Sequence, residues 1–148
     1  MKKIVTWILI ADGAHARILR SDGRGTPLIP VVDEIEGENR KTGDIGAERP
    51  GRAYDPSGPG RHAMEPRADW HELEKHQFAK ELAAHLNKSA HEKAFGRLAL
   101  IAPAKVLGDL RAGLDKHASG MVIAELSKDL TGISDRELPA HLEKILPV

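Results

Sequence analysis

One stretch of the sequence has the composition of a phosphate-binding segment. It reads ERPGRAYDPSGPGRHAMEP, with arginines set among glycines and prolines. Arginine can bind phosphate through two parallel hydrogen bonds, and glycine leaves backbone N–H groups open to an anion. We therefore expect an RNA-binding or other phosphate-binding site here, although an unliganded surface loop or a subunit contact would have the same composition. The residues assigned to the site are Arg49, Arg52, Gly58, Gly60, Arg61 and His62.

A second set of residues could act as acids and bases. Asp12 directly follows an apolar run, and His71 and Glu72 stand at the predicted start of a helix. Hydrolysis of a phosphodiester by two metal ions needs several carboxylates converging on ions about 4 Å apart. The later apolar run LALIA and the Pro103 that follows it supply no acid. The set of carboxylates that a two-metal nuclease needs is therefore incomplete. Asp12, His71 and Glu72 are the catalytic candidates for a hydrolase, whereas an Asp-Gly pair after a strand is more often simply a turn.

The sequence predicts neither a metal site nor a cofactor. Cysteine is absent, and the eight histidines include no His-Glu-x-x-His pattern. Ligand pairs on a helix need a spacing of three or four residues, whereas His71 and His76 are five apart and His85 and His91 are six apart. The sequence also has no Gly-x-Ser-x-Gly elbow, Walker A loop or dinucleotide fingerprint. These absences favour a binding protein over a conventional enzyme.

The overall composition limits the class of partner. The 148 residues are 41% hydrophobic and 30% charged, and the 22 basic side chains balance the 22 acidic ones. A net charge of zero argues against a surface that binds nucleic acid or lipid as a whole, and five aromatic residues are too few for a base-stacking platform. We expect no membrane partner and no sequence-specific recognition of DNA. The apolar run Ile4 to Ala11 is shorter than a membrane span and lacks a cleavage site, which predicts a cytoplasmic location.

Three strands are predicted before residue 36. Ile4 to Ala11 is a continuous apolar run, typical of a strand that is buried on both faces. Asp12-Gly13 predicts a turn into the alternating segment AHARIL, and a third strand runs from Leu28 to Ile35. Pro30 cannot donate a ladder hydrogen bond, so this third strand should lie at a sheet edge.

A long segment rich in glycine and proline separates these strands from the rest. Ten of the thirty residues from Gly37 to Pro66 are Gly or Pro, which predicts a loop over 37–69. A helix is then expected from Trp70 to about Lys88, capped by Asp69. Its spacing places His71 and Lys75 one or two turns from Phe78 and Leu82. There they either border the sheet end near Asp12 or, as is more common, lie only at the margin of the core.

The remaining elements complete a single domain over 1–148. LALIA and MVIAEL predict two further strands, with a helix from Pro103 to Gly113 between them and a last helix opened by Ser134 and Glu137. Short turns make the first three strands antiparallel, and right-handed helical crossovers make the later two parallel. The predicted fold is α/β, with a five-stranded mixed sheet of order 3-2-1-4-5 flanked by helices in an RNase H-like arrangement.

Five segments in this order resemble one family. They are ILIADGAHARIL, the glycine-rich and arginine-rich stretch, FAKELAAHL, LALIAPAKVLGDLR and ELSKDLTGIS, which span about residues 4 to 146. They are similar to host attachment proteins, also described as proteins required for attachment to host cells. That family is grouped with bacterial relatives of the central domain of archaeal and eukaryotic release factors.

The resemblance implies a release-factor-like module that binds RNA or the ribosome through residues 49–65 and has a host-attachment phenotype. In release factors a Gly-Gly-Gln loop before the long helix reaches the peptidyl-transferase centre. Residues 57–62 of this chain share the position and the glycines, but the single glutamine is Gln77. The alternatives are a protein-interaction or homo-oligomerisation module, and a hydrolase that uses Asp12 and the start of the helix at 70.

Overall fold

A computed structural model describes residues 4–23, 26–36 and 60–146. The strands are β1 (Thr6–Ala11), β2 (His15–Ser21), β3 (Ile29–Glu36), β4 (Arg97–Ile101) and β5 (Val122–Leu126). The helices are α1 (Gly60–His91), α2 (Ala104–Gly113), α3 (Lys116–Ser119) and α4 (Leu138–Leu142). No helix within these ranges combines the length and the apolar character that a membrane span requires.

The strands form one sheet of order β3-β2-β1-β4-β5, as the sequence predicts. β1 is central: it pairs antiparallel with β2, from Thr6 opposite Ser21 to Ala11 opposite Ala16, and parallel with β4. β5 is parallel to β4, and β3 is antiparallel to β2. The carboxyl ends of the three parallel strands therefore lie at one edge of the sheet.

β1 is buried along its whole length because helices cover both faces of the sheet. Trp7, Leu9 and Ala11 belong to a core shared with α1 and α2. The alternate residues Ile8 and Ile10 belong to a second core with α4. This two-sided burial is the physical reason that the strand reads as an unbroken apolar run rather than as an alternating one.

Both outer strands of the sheet have irregular pairing. β3 contains Pro30 opposite Leu19, and its register with β2 shifts twice, so the prediction of an edge strand is confirmed. In β5, Val122 pairs with Leu98 and Ala124 with Ala99, which leaves Ile123 as an extra residue. Bulges and proline at outer strands disfavour pairing with another chain.

The start of α1 differs from the prediction. The helix begins at Gly60, not at Trp70, so Asp69 lies within the helix and is not its cap. The last ten residues of the predicted loop over 37–69 are thus helical, and residues 37–59 lie outside the described part of the chain. Phe78, Leu82 and Leu86 pack on the sheet as predicted.

Close packing and side-chain hydrogen bonds hold α2 and α3 against α1. A Cβ on Gly113 would lie 2.7 Å from the Cβ of Ala83, so only glycine allows this approach. Asn87 of α1 donates to the Gly113 carbonyl at 3.0 Å and accepts from the Asp115 N–H at 2.8 Å. The four-residue α3, which the sequence pattern did not predict, is capped by Asp115, whose carboxylate accepts from the Ala118 N–H.

Candidate functional site at the carboxyl edge of the sheet

The turn between β1 and β2 is built around the carboxylate of Asp12. Its Oδ1 accepts hydrogen bonds from the backbone N–H groups of Ala14, at 2.7 Å, and His15, at 2.6 Å. The Asp12 N–H in turn donates to the His15 carbonyl at 2.8 Å. Gly13 and Ala14 are therefore the two residues of the loop, and Asp12 caps the turn from the position before them. This is the turn role that the sequence offered as the alternative to catalysis.

The second oxygen of Asp12 faces the segment that follows β5. The Thr131 hydroxyl lies 3.3 Å from Asp12 Oδ2 and 2.5 Å from Asp129 Oδ1. The Thr131 N–H also donates to Asp129 Oδ1, at 2.9 Å. Two carboxylates from the ends of β1 and β5 thus share one hydroxyl group at the carboxyl edge, where ligands of open α/β sheets commonly bind.

Arg17 of β2 fixes the same segment from the other side. Its guanidinium donates to Asp135 at 2.8 Å, to the Leu130 carbonyl at 3.2 Å and to the Ile133 carbonyl. Only 18% of the Arg17 side chain is exposed. The main role of the arginine is therefore structural: it holds residues 130–135 against β2.

Lys75 of α1 lies across the β1–β2 turn. A Cβ on Gly13 would meet Lys75 Cγ at 2.8 Å, Cδ at 2.9 Å and Cε at 3.1 Å. The methylene chain of the lysine thus occupies the space that any side chain at position 13 would need. Of the two positions that the sequence left open for Lys75, this contact supports the one at the sheet end near Asp12.

The other two catalytic candidates pair within α1. His71 is 61% exposed, and its Nδ1 lies 3.5 Å from Oε1 of Glu74. Glu72 Oε2 lies 3.8 Å from Lys75 Nζ. The second oxygen of Glu74, Oε2, is buried and has no hydrogen-bond partner among the described residues. The contacts of His71 and Glu72 thus join them to neighbours one helical turn away, and it is Lys75 that reaches the Asp12 turn.

The candidates for phosphate binding fall at and before the start of α1. Gly60 is the first residue of the helix, and Arg61 and His62 follow in its first turn. Arg49, Arg52 and Gly58 lie outside the described residues. The first turn of α1 contains no acidic residue. Its leading backbone N–H groups have no partner within the helix, and they carry the positive end of the helix dipole.

Further histidine–carboxylate pairs lie between the helices. His76 Nδ1 is 2.6 Å from Asp109 Oδ2, and His91 Nε2 is 3.0 Å from Asp115 Oδ2. The Ala118 N–H and, second, the hydrogen bond to His91 lower the pKa of Asp115. In the described part of the chain, no three histidine or carboxylate side chains are grouped to hold a metal ion.

Asp129 and Thr131 were not among the residues chosen from the sequence. A carboxylate two residues before a threonine is a common local turn, so the Asp129–Thr131 bond could have been predicted. The contact with Asp12 could not, because it depends on the path that the chain takes after β5, which no local pattern predicts. It is a consequence of two parallel strands, β1 and β5, ending at the same edge.

The fold and this edge define a single-domain α/β protein whose mixed sheet has helices on both faces. The chain belongs to the family described as protein required for attachment to host cells, whose model matches residues 7–142. No curated protein matches it. Among solved structures it is similar to an archaeal translation termination factor, with a TM-score of 0.48 and 13% identity over 95% of this chain. The chain spans 39% of the length of that structure.

Proposed function

We propose that this chain is a cytoplasmic RNA-binding module that binds the phosphate backbone of ribosomal RNA through residues 49–65. The observation that carries the proposal is the start of α1 at Gly60. Gly60 and Arg61 are the first two residues of this 32-residue helix, and Gly58 precedes them in the sequence. Helix N-termini bind phosphate because their free N–H groups and the helix dipole both favour an anion.

The charges at this helix start support the same ligand. The first turn brings no carboxylate that would compete with a phosphate, and Arg61 stands within it. Arg49 and Arg52 precede Gly60 by 11 and 8 residues in the sequence, and guanidinium groups suit phosphate oxygens. The family description concerns attachment to host cells, and we take such a phenotype in this chain to be an indirect result of its action on RNA.

The charge of this segment can be tested directly. Replacing Arg49, Arg52 and Arg61 together by Ala should weaken binding to ribosomal RNA and flatten the dependence of affinity on salt. The matched control removes three exposed basic residues elsewhere, Lys80, Lys105 and Arg136, and should keep both affinity and salt slope. If the two triple variants bind equally well, residues 49–65 are not the binding site.

Sedimentation of the tagged protein from a cell lysate tests the partner. Co-migration with ribosomes or a subunit, abolished by RNase, is expected. Migration only at the top of the gradient would contradict ribosome binding, and it would favour the protein-interaction alternative.

The protein-interaction alternative has one observation in its support, because Leu73 on α1 is 61% exposed. Leu73→Glu should then dissociate the oligomer or the partner, as sedimentation velocity would show.

The hydrolase alternative is tested by Asp12→Asn. If Asp12 takes part in catalysis, turnover of a phosphodiester or ester substrate should disappear in this variant, while the fold is retained. The hydrogen bonds of Asp12 to Ala14, His15 and Thr131 already give it a structural role. If the wild-type protein shows no turnover of any substrate tested with divalent metals, only the structural role of Asp12 remains.

A further inference from the structure

The first half of α1 extends beyond the sheet. A helix of 32 residues is about 48 Å long, whereas a six-residue strand spans about 20 Å. The residues of α1 that pack on the sheet run from Phe78 to Ala90. Lys75 meets the sheet at the β1–β2 turn, so residues 60–74 continue past its carboxyl edge. The direction of this half is therefore set near the point where α1 leaves the sheet.

From this geometry we infer that Lys75 is a positioning residue, whose methylene chain on Gly13 sets the direction in which the first half of α1 leaves the sheet. The contact is close, with three carbons of the lysine within 3.1 Å of where a Gly13 Cβ would be. The turn beneath it is rigid, since Asp12 accepts two backbone hydrogen bonds and faces Thr131. Because the turn is held by these hydrogen bonds and Lys75 packs closely on it, the contact sets the angle at which α1 leaves the sheet.

The methylene chain matters more in this contact than the charge. The Lys75 ammonium lies 3.8 Å from Glu72 Oε2, and both side chains are about half exposed. Exposed ion pairs of this kind hold geometry poorly. The packed methylenes are different, because a Cβ at position 13 would force the Lys75 side chain out of its present position. Gly13 does not have a left-handed backbone, so alanine there would disturb this packing and not the turn conformation.

The consequence for binding rests on the proposed function. The N-terminus of α1 holds Gly60 and Arg61, and its place relative to the sheet depends on the angle at Lys75. Position 63 lies about 18 Å along the helix from Lys75. A tilt of about 20° at the turn would move it by about 6 Å. A change at Gly13 or Lys75 would then alter RNA affinity although neither residue touches RNA.

Spin labels can measure the angle directly, because the chain has no cysteine. Labels at Ala63→Cys on α1 and Ser127→Cys after β5 report the distance between the helix start and the sheet edge. We expect a narrow distance distribution in the parent protein. Lys75→Ala and Gly13→Ala should each shift or broaden it by several ångströms, whereas Lys75→Met, which keeps an unbranched apolar side chain of similar length, should not. Lys80→Ala, an exposed lysine on the same helix, is the control.

The same variants separate this inference from the proposed function. If Lys75→Ala and Gly13→Ala leave the distance distribution unchanged, Lys75 does not position the helix. If the distribution changes and RNA affinity falls several-fold in both variants but not in Lys75→Met, the positioning role in binding is established. A changed distribution with unchanged affinity refutes the link to binding. A parent protein that binds no RNA refutes the proposed function, while the distance measurement still decides the role of Lys75.

Discussion

The hydroxyl of Thr131 lies 3.3 Å from Oδ2 of Asp12, although 118 residues separate the two in the chain. This contact joins the turn after β1 to the segment after β5. The same hydroxyl is only 2.5 Å from Asp129, so its single proton is held mainly by that carboxylate. Asp12 depends more on the two backbone N–H groups of its own turn than on Thr131.

The backbone hydrogen bonds of Asp12 predict how its replacements behave. We expect Asp12→Ala to lower the free energy of unfolding by about 1–2 kcal/mol, because two N–H groups lose a charged acceptor. Asp12→Asn keeps an acceptor oxygen and should lose less than half as much. Urea denaturation of the two variants measures the difference. Equal losses would show that the negative charge, and not the acceptor, holds the turn.

Arg17 should contribute more to the free energy of unfolding than its ion pair with Asp135 alone would. Arg17→Met leaves the carbonyls of Leu130 and Ile133 without their donor and should lower the free energy of unfolding by about 2 kcal/mol. Asp135→Asn removes only the partner that is 45% exposed and should cost less than about 0.5 kcal/mol. Thermal and urea unfolding of both proteins compare the two effects. A larger loss in Asp135→Asn would reverse this assignment.

Two glycines of α2 should respond to alanine in opposite directions. At Gly113 the new Cβ would lie 2.7 Å from that of Ala83, which predicts a loss of about 1–3 kcal/mol from overpacking. At Gly108 a Cβ meets nothing within 4 Å, so alanine should stabilise the helix by about 0.5–1 kcal/mol. The melting temperature should therefore fall for Gly113→Ala and rise for Gly108→Ala. A stable Gly113→Ala protein would mean that α1 and α2 can separate without penalty.

The lowered pKa of Asp115 predicts that part of the free energy of unfolding is lost in acid. Its pKa is lowered by the Ala118 N–H and then by His91, so the folded state favours the ionised carboxylate. The stabilisation is therefore present above the unfolded pKa, about 3.9, and is lost as the pH falls through the lower folded value. The difference in unfolding free energy between the wild type and Asp115→Asn should shrink between about pH 4 and pH 2. Urea denaturation across this range measures it.

A second substitution separates the charge of Asp115 from its capping role. Asp115→Ser keeps an acceptor for the Ala118 N–H, so at pH 7 it should be more stable than Asp115→Ala. It should nevertheless lack the acid-dependent component, because serine does not ionise in this range. An acid dependence in Asp115→Ser as steep as that of the wild type would assign the effect to another carboxylate.

The sheet could be predicted because its determinants are local. The apolar run of β1, the turn at Asp12 and the proline in β3 each report burial or pairing at their own position, and crossover handedness then fixes the order. The start of α1 could not be predicted in this way. Gly60 and Pro66 have low helix propensity, and Asp69 with Glu72 imitates a cap, so the sequence indicates a start ten residues too late.

The candidate site was predictable only in part. The spacing of α1 brought Lys75 to the right end of the sheet, because the helix period relates it to Phe78 and Leu82. His71 and Glu72 share that region of the helix, but their ion-pair partners are Glu74 and Lys75. Local patterns give the side of a helix on which a residue lies, whereas contacts between distant segments, such as Asp12 with Thr131, follow from the tertiary fold.

The two kinds of pairing made by β1 have a consequence for synthesis of the protein. Its antiparallel partner β2 follows within a few residues, so the hairpin can close as soon as it has been translated. Its parallel partner β4 begins only at Arg97 and arrives after α1 has been made. Until then the nascent hairpin has an open apolar edge, which is a place where unfinished chains aggregate. Slow translation before residue 101 should therefore increase the dependence of this protein on chaperones.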